Sequence, residues 1–303
     1  MRKPWIVGSL LSGVLLLGAC SDPSGPEAAP PSPAPPQVSA TTTHQRAPAS
    51  PSGPAVRPRV LYLGDSLAME AQNVLGRQLR TDLAATYTSA PYSGTTLCDY
   101  LEGTGKRSLV PDADKAAALV RARHPDYVVL QFWGNAWGYT WCMDGITYAA
   151  SQQRYFTRYR ADLRRLTEQI ADAGGSRRPK IVWVLQGPDP ITPDRVRRVN
   201  GMYEQQAAAS GDIVSDAGAT VSPAGARYTW AQDLPCTAYE HQHDGYCTEP
   251  GRDRTALHYG KDYLHFCLAP TTPTPRPCPA RSPGILRIAR AITQTIAERV
   301  RAR

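Results

Sequence analysis

The sequence has 303 residues and a formal net charge of +8. Its length allows one sizeable hydrophobic core. The arginines are scattered over several predicted helices and are not interleaved with aromatic residues in one motif, so the composition gives no indication of nucleic-acid binding.

The N-terminal segment has the features of an export signal. After a short basic stretch, residues 6–17 form an apolar run that is shorter than the roughly 20 residues of a membrane-spanning helix. The following residues, LGAC at 17–20, resemble a bacterial lipobox. We therefore predict that residues 1–20 are a lipoprotein signal and that Cys20 is lipidated, which would hold the protein on the outer face of the cell membrane. Ordinary cleavage near Ala19, with secretion, is the alternative.

Residues 21–58 are dominated by Pro, Ala, Ser, Thr and Gly and contain no candidate core. A segment of this composition cannot bury enough apolar surface to offset its ordering entropy. Its prolines favour extended conformers, so we predict a disordered tether. The remaining residues, 59–303, are predicted to form one folded domain.

The predicted domain alternates apolar strands with amphipathic helices. Predicted strands lie at 59–63, 86–90, 127–132, 180–185 and 212–215, and predicted helices at 67–83, 112–123, 155–173, 193–208 and 284–301. Such repeats give a mainly parallel sheet with helices on both faces, so we predict a three-layer α/β/α sandwich. Residues 217–283 are predicted to be long loops. The chemistry of such a fold lies at the carboxyl ends of its strands.

Six cysteines in the predicted domain indicate disulfides in an oxidising compartment. Six cysteines allow 15 pairings, so the sequence does not fix the connectivity. The spacing favours two local pairs and leaves one long-range pair: Cys236–Cys247, Cys267–Cys278 and Cys98–Cys142. No C-x-x-C occurs and the histidines lack zinc-finger spacing, so we predict no metal site. Because all six cysteines can be paired, we also predict no cysteine nucleophile.

Nucleotide-binding motifs are missing from the sequence. No G-x-G-x-x-G follows the first predicted strand, and no P-loop motif occurs. We therefore expect no cofactor. A monomer is expected.

Ser66 directly follows the first predicted strand and precedes a helix. Its hydroxyl would lie at the strand's carboxyl end, and its amide at a helix N-terminus, where developing negative charge is favoured. This context fits a helix N-cap as well as a nucleophile. A nucleophile needs a base, and Asp262-x-x-His265 provides one: three residues span a tight turn, so the carboxylate can orient the imidazole. His258 is the nearest rival, without an acid at the same offset.

Four blocks in chain order resemble the SGNH (GDSL) hydrolase family. They are GDSL at 64–67, Gly94 in a loop after the second predicted strand, Asn135 after a buried strand, and Asp262-x-x-His265. The resemblance covers essentially the whole predicted domain. It implies the flavodoxin-like SGNH fold and a carboxylic ester hydrolase.

The resemblance also implies a role for each matching residue. Ser66 would attack an ester carbonyl, His265 would act as base and then as acid, and Asp262 would orient His265. The oxyanion would be held by the backbone amides of Ser66 and Gly94 and by the side-chain amide of Asn135.

The third block departs from the family pattern, which is usually Gly-x-Asn-Asp, because residues 133–136 are WGNA. Aromatic residues cluster around it: Trp133, Trp137, Tyr139 and Trp141. Trp133, Trp137 and Trp141 are predicted to stack on sugar rings or to line an acyl pocket. Core packing is the alternative for Trp133.

The sequence contains no large apolar lid segment, so we expect hydrolysis of short-acyl esters, either on a cell-envelope glycan or on a small molecule. Two other functions stay open. One is an O-acyltransferase that uses the same Ser66 acyl-enzyme with a sugar hydroxyl as acceptor. The other is a non-catalytic surface module that binds glycans.

Overall fold

The computed structural model describes residues 57–133, 138, 140–270 and 276–302. Within them, five parallel strands form a sheet in the order β2-β1-β3-β4-β5. The strands are β1 Arg59–Gly64, β2 Thr86–Ser89, β3 Tyr127–Gln131, β4 Lys180–Val184 and β5 Ile213–Ser215. This confirms the predicted mainly parallel sheet and brings the ends of β1 and β3 side by side, with Gly64 paired to Gln131.

Helices cover both faces of the sheet, as the α/β prediction requires. The helices are α1 Ser66–Leu83, α2 Ala116–Arg123, α3 Gln152–Gly174, α4 Pro193–Ser210, α5 Ala238–Gln242 and α6 Pro283–Arg301. One apolar cluster joins Leu61 and Leu63 of β1 to α2, α3 and α4. A second joins Val60 and Tyr62 to α1 and α6. Because both faces are covered, β1 and β3 are apolar at nearly every position.

The second helix begins later than predicted. Residues Asp112–Asp114 form a 3-10 turn, and α2 begins at Ala116, so Asp112 is not its N-cap. The break is at Lys115, whose backbone is extended and whose ammonium group is buried. Lys115 Nζ donates to the carbonyl oxygen of Asp99 at 2.6 Å and to the Ser108 hydroxyl at 2.6 Å. These bonds hold Lys115 outside the helix.

Residues 217–283 are more ordered than the predicted loops. They contain α5 and a two-stranded antiparallel sheet, β6 Asp233–Pro235 and β7 Arg254–Ala256. Strands of three residues are too short for an alternating pattern to identify them. The structure forms three disulfides, in the pairs that the spacing favoured: Cys98–Cys142, Cys236–Cys247 and Cys267–Cys278.

The predicted signal, Cys20 and residues 21–56 of the predicted tether lie outside the described residues. Among the helices that the structure describes, none is both long and apolar enough to cross a membrane.

Candidate active site

The junction between β1 and α1 depends on a close approach that only glycine allows. Gly64 has a φ of +158°, and a Cβ added there would lie 2.0 Å from the carbonyl oxygen of Gln131 and 2.6 Å from Cβ of Ala68. Any side chain would therefore push β1 away from β3 or from the first turn of α1. The contact fixes the backbone two residues before Ser66.

Asp65, not Ser66, is the N-cap of α1. Its Oδ1 accepts a hydrogen bond from the Leu67 amide at 3.1 Å, and its Oδ2 accepts one from the Trp133 amide at 2.8 Å. The residue is 1% exposed. The capping role that the sequence left open for Ser66 therefore belongs to Asp65, and the Ser66 side chain is available for another contact.

That contact is with His265. The Nε2 atom of His265 lies 3.0 Å from the Oγ of Ser66, and its Nδ1 lies 3.0 Å from the Oδ2 of Asp262. The other carboxylate oxygen of Asp262 accepts hydrogen bonds from the amides of Leu264 and His265, at 3.0 and 2.9 Å. The three predicted residues thus form one continuous hydrogen-bonded chain across 199 positions of sequence.

The charges of this chain suit proton transfer. Burial by itself raises the pKa of Asp262, but the hydrogen bonds from His265 and Leu264 outweigh it and lower that pKa to about 2. For His265 burial has the opposite effect and by itself lowers the pKa. The hydrogen bond to Asp262 and the negative charge of Glu70 outweigh burial, so the pKa of His265 is raised. Asp262 is therefore ionised, and the imidazolium form of His265 is stabilised.

His258, the rival base, contacts the backbone of His265 instead of Ser66. Its Nδ1 lies 2.8 Å from the His265 carbonyl oxygen, which accepts a hydrogen bond from it. Burial lowers the pKa of His258 to about 4, so the ring is neutral near pH 7. The ring also packs against Phe266, with centroids 4.6 Å apart. His258 therefore contacts the segment that carries His265 through both a hydrogen bond and ring packing.

Gly94 lies in a loop tied to the end of β1. Its φ of +74° is in the left-handed region that favours glycine. The Tyr92 amide donates to the Gly64 carbonyl oxygen at 3.0 Å, and the Thr95 hydroxyl donates to the Tyr92 carbonyl oxygen at 2.7 Å. These bonds hold the loop next to the residues that carry Ser66.

Asn135 lies outside the described residues, but the chain that leads to it is firmly held. Gln186 Nε2 donates to the Phe132 carbonyl oxygen at 2.6 Å, and Arg195 Nη2 donates to the Trp133 carbonyl oxygen at 3.1 Å. Arg195 is fully buried and pairs with Asp189 at 3.1 Å. Gln186 and Asp189 directly follow the carboxyl end of the predicted strand 180–185, whereas nothing in the sequence pointed to Arg195.

The three predicted substrate-binding tryptophans differ in placement. Trp133 is only 5% exposed, and its ring packs against Phe266 with centroids 5.8 Å apart. It is a core residue, and the prediction of an exposed substrate-binding face is corrected for this position. Trp141 is 75% exposed. Trp137 lies outside the described residues.

Two clusters of potential metal ligands occur in the described part of the chain: Cys236, His241 and Cys247, and Cys98, Asp99 and Cys142. The cysteines of each cluster are joined in a disulfide. The thiolate, not the disulfide sulfur, is the metal ligand, so neither cluster has a zinc-type donor set.

Comparisons with known proteins give neither a matching family model nor a matching curated protein. Similar solved structures include a Clostridium thermocellum family 3 carbohydrate esterase, 13% identical, with a TM-score of 0.44 over 82% of this chain and 98% of that one. A putative lipolytic protein of the G-D-S-L family from Desulfitobacterium hafniense DCB-2 is 16% identical, with a TM-score of 0.41 over 79% and 99%. The periplasmic domain of a Salmonella ser. Paratyphi A lipopolysaccharide acetyltransferase is 10% identical, with a TM-score of 0.43 over 80% and 85%. Similarity at this level does not assign an activity.

Proposed function

We propose that this protein is a serine esterase of the SGNH type, in which Ser66 is the nucleophile, His265 the general base and Asp262 the carboxylate that orients it. The observation that carries the proposal is the hydrogen-bonded chain from Asp262 through both nitrogens of His265 to Ser66, with both links at 3.0 Å. A serine hydroxyl is a weak nucleophile until an adjacent base accepts its proton, and a base oriented by a third group meets that need.

In the proposed reaction, the Ser66 Oγ attacks the ester carbonyl carbon while its proton passes to Nε2 of His265. The carbonyl oxygen becomes an oxyanion, and the proposed hydrogen-bond donors to it are the Ser66 amide at the N-terminus of α1, the Gly94 amide and the side-chain amide of Asn135. A hydrogen-bond donor that is already in position when this charge develops lowers the activation free energy by about 3–4 kcal/mol. His265 then protonates the leaving alcohol, and an acyl-enzyme forms. Water, deprotonated by His265, releases the acid and restores Ser66.

The state of the base sets the pH range in which the esterase works. His265 must be neutral to accept the Ser66 proton, and its raised pKa places the loss of activity on acidification at a higher pH than for an isolated imidazole. Asp262 stays ionised throughout that range, because its pKa is about 2. We expect activity to rise with pH along one limb that reports His265.

The proposed substrates are short-acyl esters of a cell-envelope glycan or of a small molecule. The absence of an apolar lid segment in the sequence argues against long acyl chains, and the exposed ring of Trp141 offers one aromatic face for a sugar.

The primary test is turnover of p-nitrophenyl esters from acetate to long-chain acyl groups by the purified domain, residues 59–303, and by Ser66→Ala. The control is Ser176→Ala. Ser176 is exposed in the turn Gly175–Arg177 that precedes β4, so it lies near the amino ends of the parallel strands, whereas Ser66 lies at their carboxyl ends. We expect turnover of short esters that Ser66→Ala loses and Ser176→Ala keeps. No turnover at any acyl length would overturn the proposal and favour a non-catalytic module.

A second measurement separates hydrolysis from acyl transfer, since both use the same acyl-enzyme. Glycan acceptors are added to the short-ester reaction, and the products are analysed by mass spectrometry. An esterase is expected to release the free acid at the same rate with and without the glycan acceptor. Acylated glycan as the main product would instead assign an O-acyltransferase.

We also propose that the domain works outside the cytoplasm on a lipid anchor at Cys20. Three disulfides support an oxidising compartment. The test is mass spectrometry of the mature N-terminus, with Cys20→Ala as the comparison. A diacylated N-terminal Cys20 that disappears in the variant is expected. A mature N-terminus that carries no lipid would contradict the lipid anchor and indicate a secreted protein.

A further inference from the structure

Glu70 is a buried carboxyl group next to the proposed base, although none of the four matching blocks includes it. It lies on α1 four residues after Ser66, so the two side chains share one face of the helix, one turn apart. Glu70 is 4% exposed. A carboxyl group buried to this degree is costly unless it has partners, so its position needs a reason.

Its partners belong to the segment that carries His265. Oε2 of Glu70 accepts a hydrogen bond from the Phe266 amide at 3.1 Å. The backbone carbonyl oxygen of Glu70 accepts one from the Cys278 amide at 3.4 Å, and Cys278 is joined to Cys267 by a disulfide. Glu70 therefore connects the helix that begins at Ser66 to the loop of the base.

Glu70 also acts on His265 through its charge. Burial raises the pKa of Glu70 to about 7, although the positive charge of a protonated His265 and the Phe266 amide both oppose the rise. In return, the Glu70 carboxylate is among the groups that raise the pKa of His265. The two groups thus favour opposite charges on each other, which is the arrangement a base needs when it takes up a proton.

We propose that Glu70 is a positioning residue for the base, because its carboxylate holds the backbone after His265 against α1 and stabilises the imidazolium that forms when Ser66 loses its proton. This inference rests on the proposed esterase function for its catalytic consequence. The contact itself does not depend on the substrate.

Other ionisable groups also act on His265. Asp262 faces it from its own loop and Asp65 from the start of α1, while His258 packs beneath the same segment. A variant must therefore remove only the charge of Glu70. Glu70→Gln does so and keeps an oxygen that can accept from the Phe266 amide. Asp82→Asn is the matched control, because Asp82 is the other acidic residue of α1 and is exposed near its far end.

The experiment follows the His265 imidazole by NMR titration in the wild type, Glu70→Gln and Asp82→Asn, with the signal assigned through its loss in His265→Gln. We expect the His265 pKa to move downward in Glu70→Gln and to stay in place in Asp82→Asn. In short-ester turnover, the acid limb of kcat/KM should move to lower pH with it. We expect kcat to fall about tenfold with little change in KM, because the stabilised charge appears only during the reaction.

An unchanged His265 titration in Glu70→Gln would overturn the inference, whatever the activity. A shifted titration in a protein without esterase turnover would keep the Glu70–His265 coupling and reject the esterase instead. Should Glu70→Gln fail to fold, the wild type supplies the test. The Glu70 carboxyl and His265 signals are then expected to titrate together in shared steps, and independent single-step curves would contradict the inference.

Discussion

The two halves of the proposed site are held in different ways. Ser66 lies between a central strand and a long helix, and packing fixes it through the close contact of Gly64 with β3 and through the Asp65 cap. His265 lies in an irregular segment. There, the carboxylates of Asp262 and Glu70 accept hydrogen bonds from backbone amides, and His258 donates one to a backbone carbonyl. These bonds and a neighbouring disulfide take the place of a regular element.

This difference predicts how each half fails. Damage to the Ser66 half should first appear as lost stability, because the same contacts hold the centre of the sheet. Damage to the His265 half should first appear as lost activity, because each hydrogen bond there orients a reacting group while adding little to the core. Four changes test the contrast, in order of decreasing effect.

Asp262→Asn should give the largest effect, and mainly on activity. The amide would keep an oxygen for the Leu264 and His265 amides but would no longer hold the correct tautomer of His265 or balance its charge. We expect kcat on a short ester to fall by about 10³–10⁴-fold. The control is Asp253→Asn, which removes the carboxylate that pairs with exposed His241 at 2.8 Å. Equal kcat values for the two variants would contradict the assigned role, provided that thermal unfolding shows both to be folded.

Gly64→Ala should mainly affect stability. The added methyl group would meet the Gln131 carbonyl oxygen at 2.0 Å in a backbone conformation that other residues rarely adopt. Overpacking of this kind costs about 1–3 kcal/mol, and the positive φ adds to it. Urea unfolding measures the loss. Gly251→Ala, where the new atom has no neighbour within 4 Å, should change little. A Gly64→Ala variant as stable as Gly251→Ala would show that the junction is not held by packing.

Two disulfides allow a matched comparison, because each closes a loop of sequence separation 11. Removing either one, as Cys236→Ala with Cys247→Ala or as Cys267→Ala with Cys278→Ala, should cost about 3 kcal/mol or less. Only the second pair lies next to His265. We expect similar losses of stability by urea unfolding, but a loss of kcat only for the second pair. Equal kcat values would mean that the hydrogen bonds hold the base without the disulfide.

The sequence predicted the parts of the molecule that local patterns encode. The strands β1 and β3, the helix after Ser66 and the Asp262–His265 turn each depend on neighbouring residues, and each forms in the structure. The last helix was also predicted correctly, and its apolar residues from Ile285 to Ile296 pack into the core. Such features can be identified without knowing what packs against them.

Features that depend on distant contacts were not predictable in this way. Glu70 meets Phe266 across 196 positions, and Arg195 meets Trp133 across 62. Either residue, in isolation, resembles an ordinary charged position on a helix. For Trp133 the sequence left substrate binding and core packing both open, and only its neighbour in space, Phe266, decides for core packing. The N-cap of α1 is Asp65, one residue before the candidate Ser66. Shifts of one residue are common at helix ends.

The smallest effect concerns the pH dependence of stability at Glu70. Its pKa is about 7 in the folded protein against 4.5 for an ordinary glutamate, so between those values the folded state holds more of this proton than the unfolded state. Stability then falls as pH rises through this window, by roughly 1–3 kcal/mol at this group. Glu70→Gln removes the titration, so its free energy of unfolding relative to wild type should rise between pH 5 and pH 8. Urea unfolding at both pH values measures this, with Asp82→Asn as control. A constant difference would mean that the pKa of Glu70 is not raised on folding, and that the contact of Glu70 with the His265 segment carries no electrostatic cost.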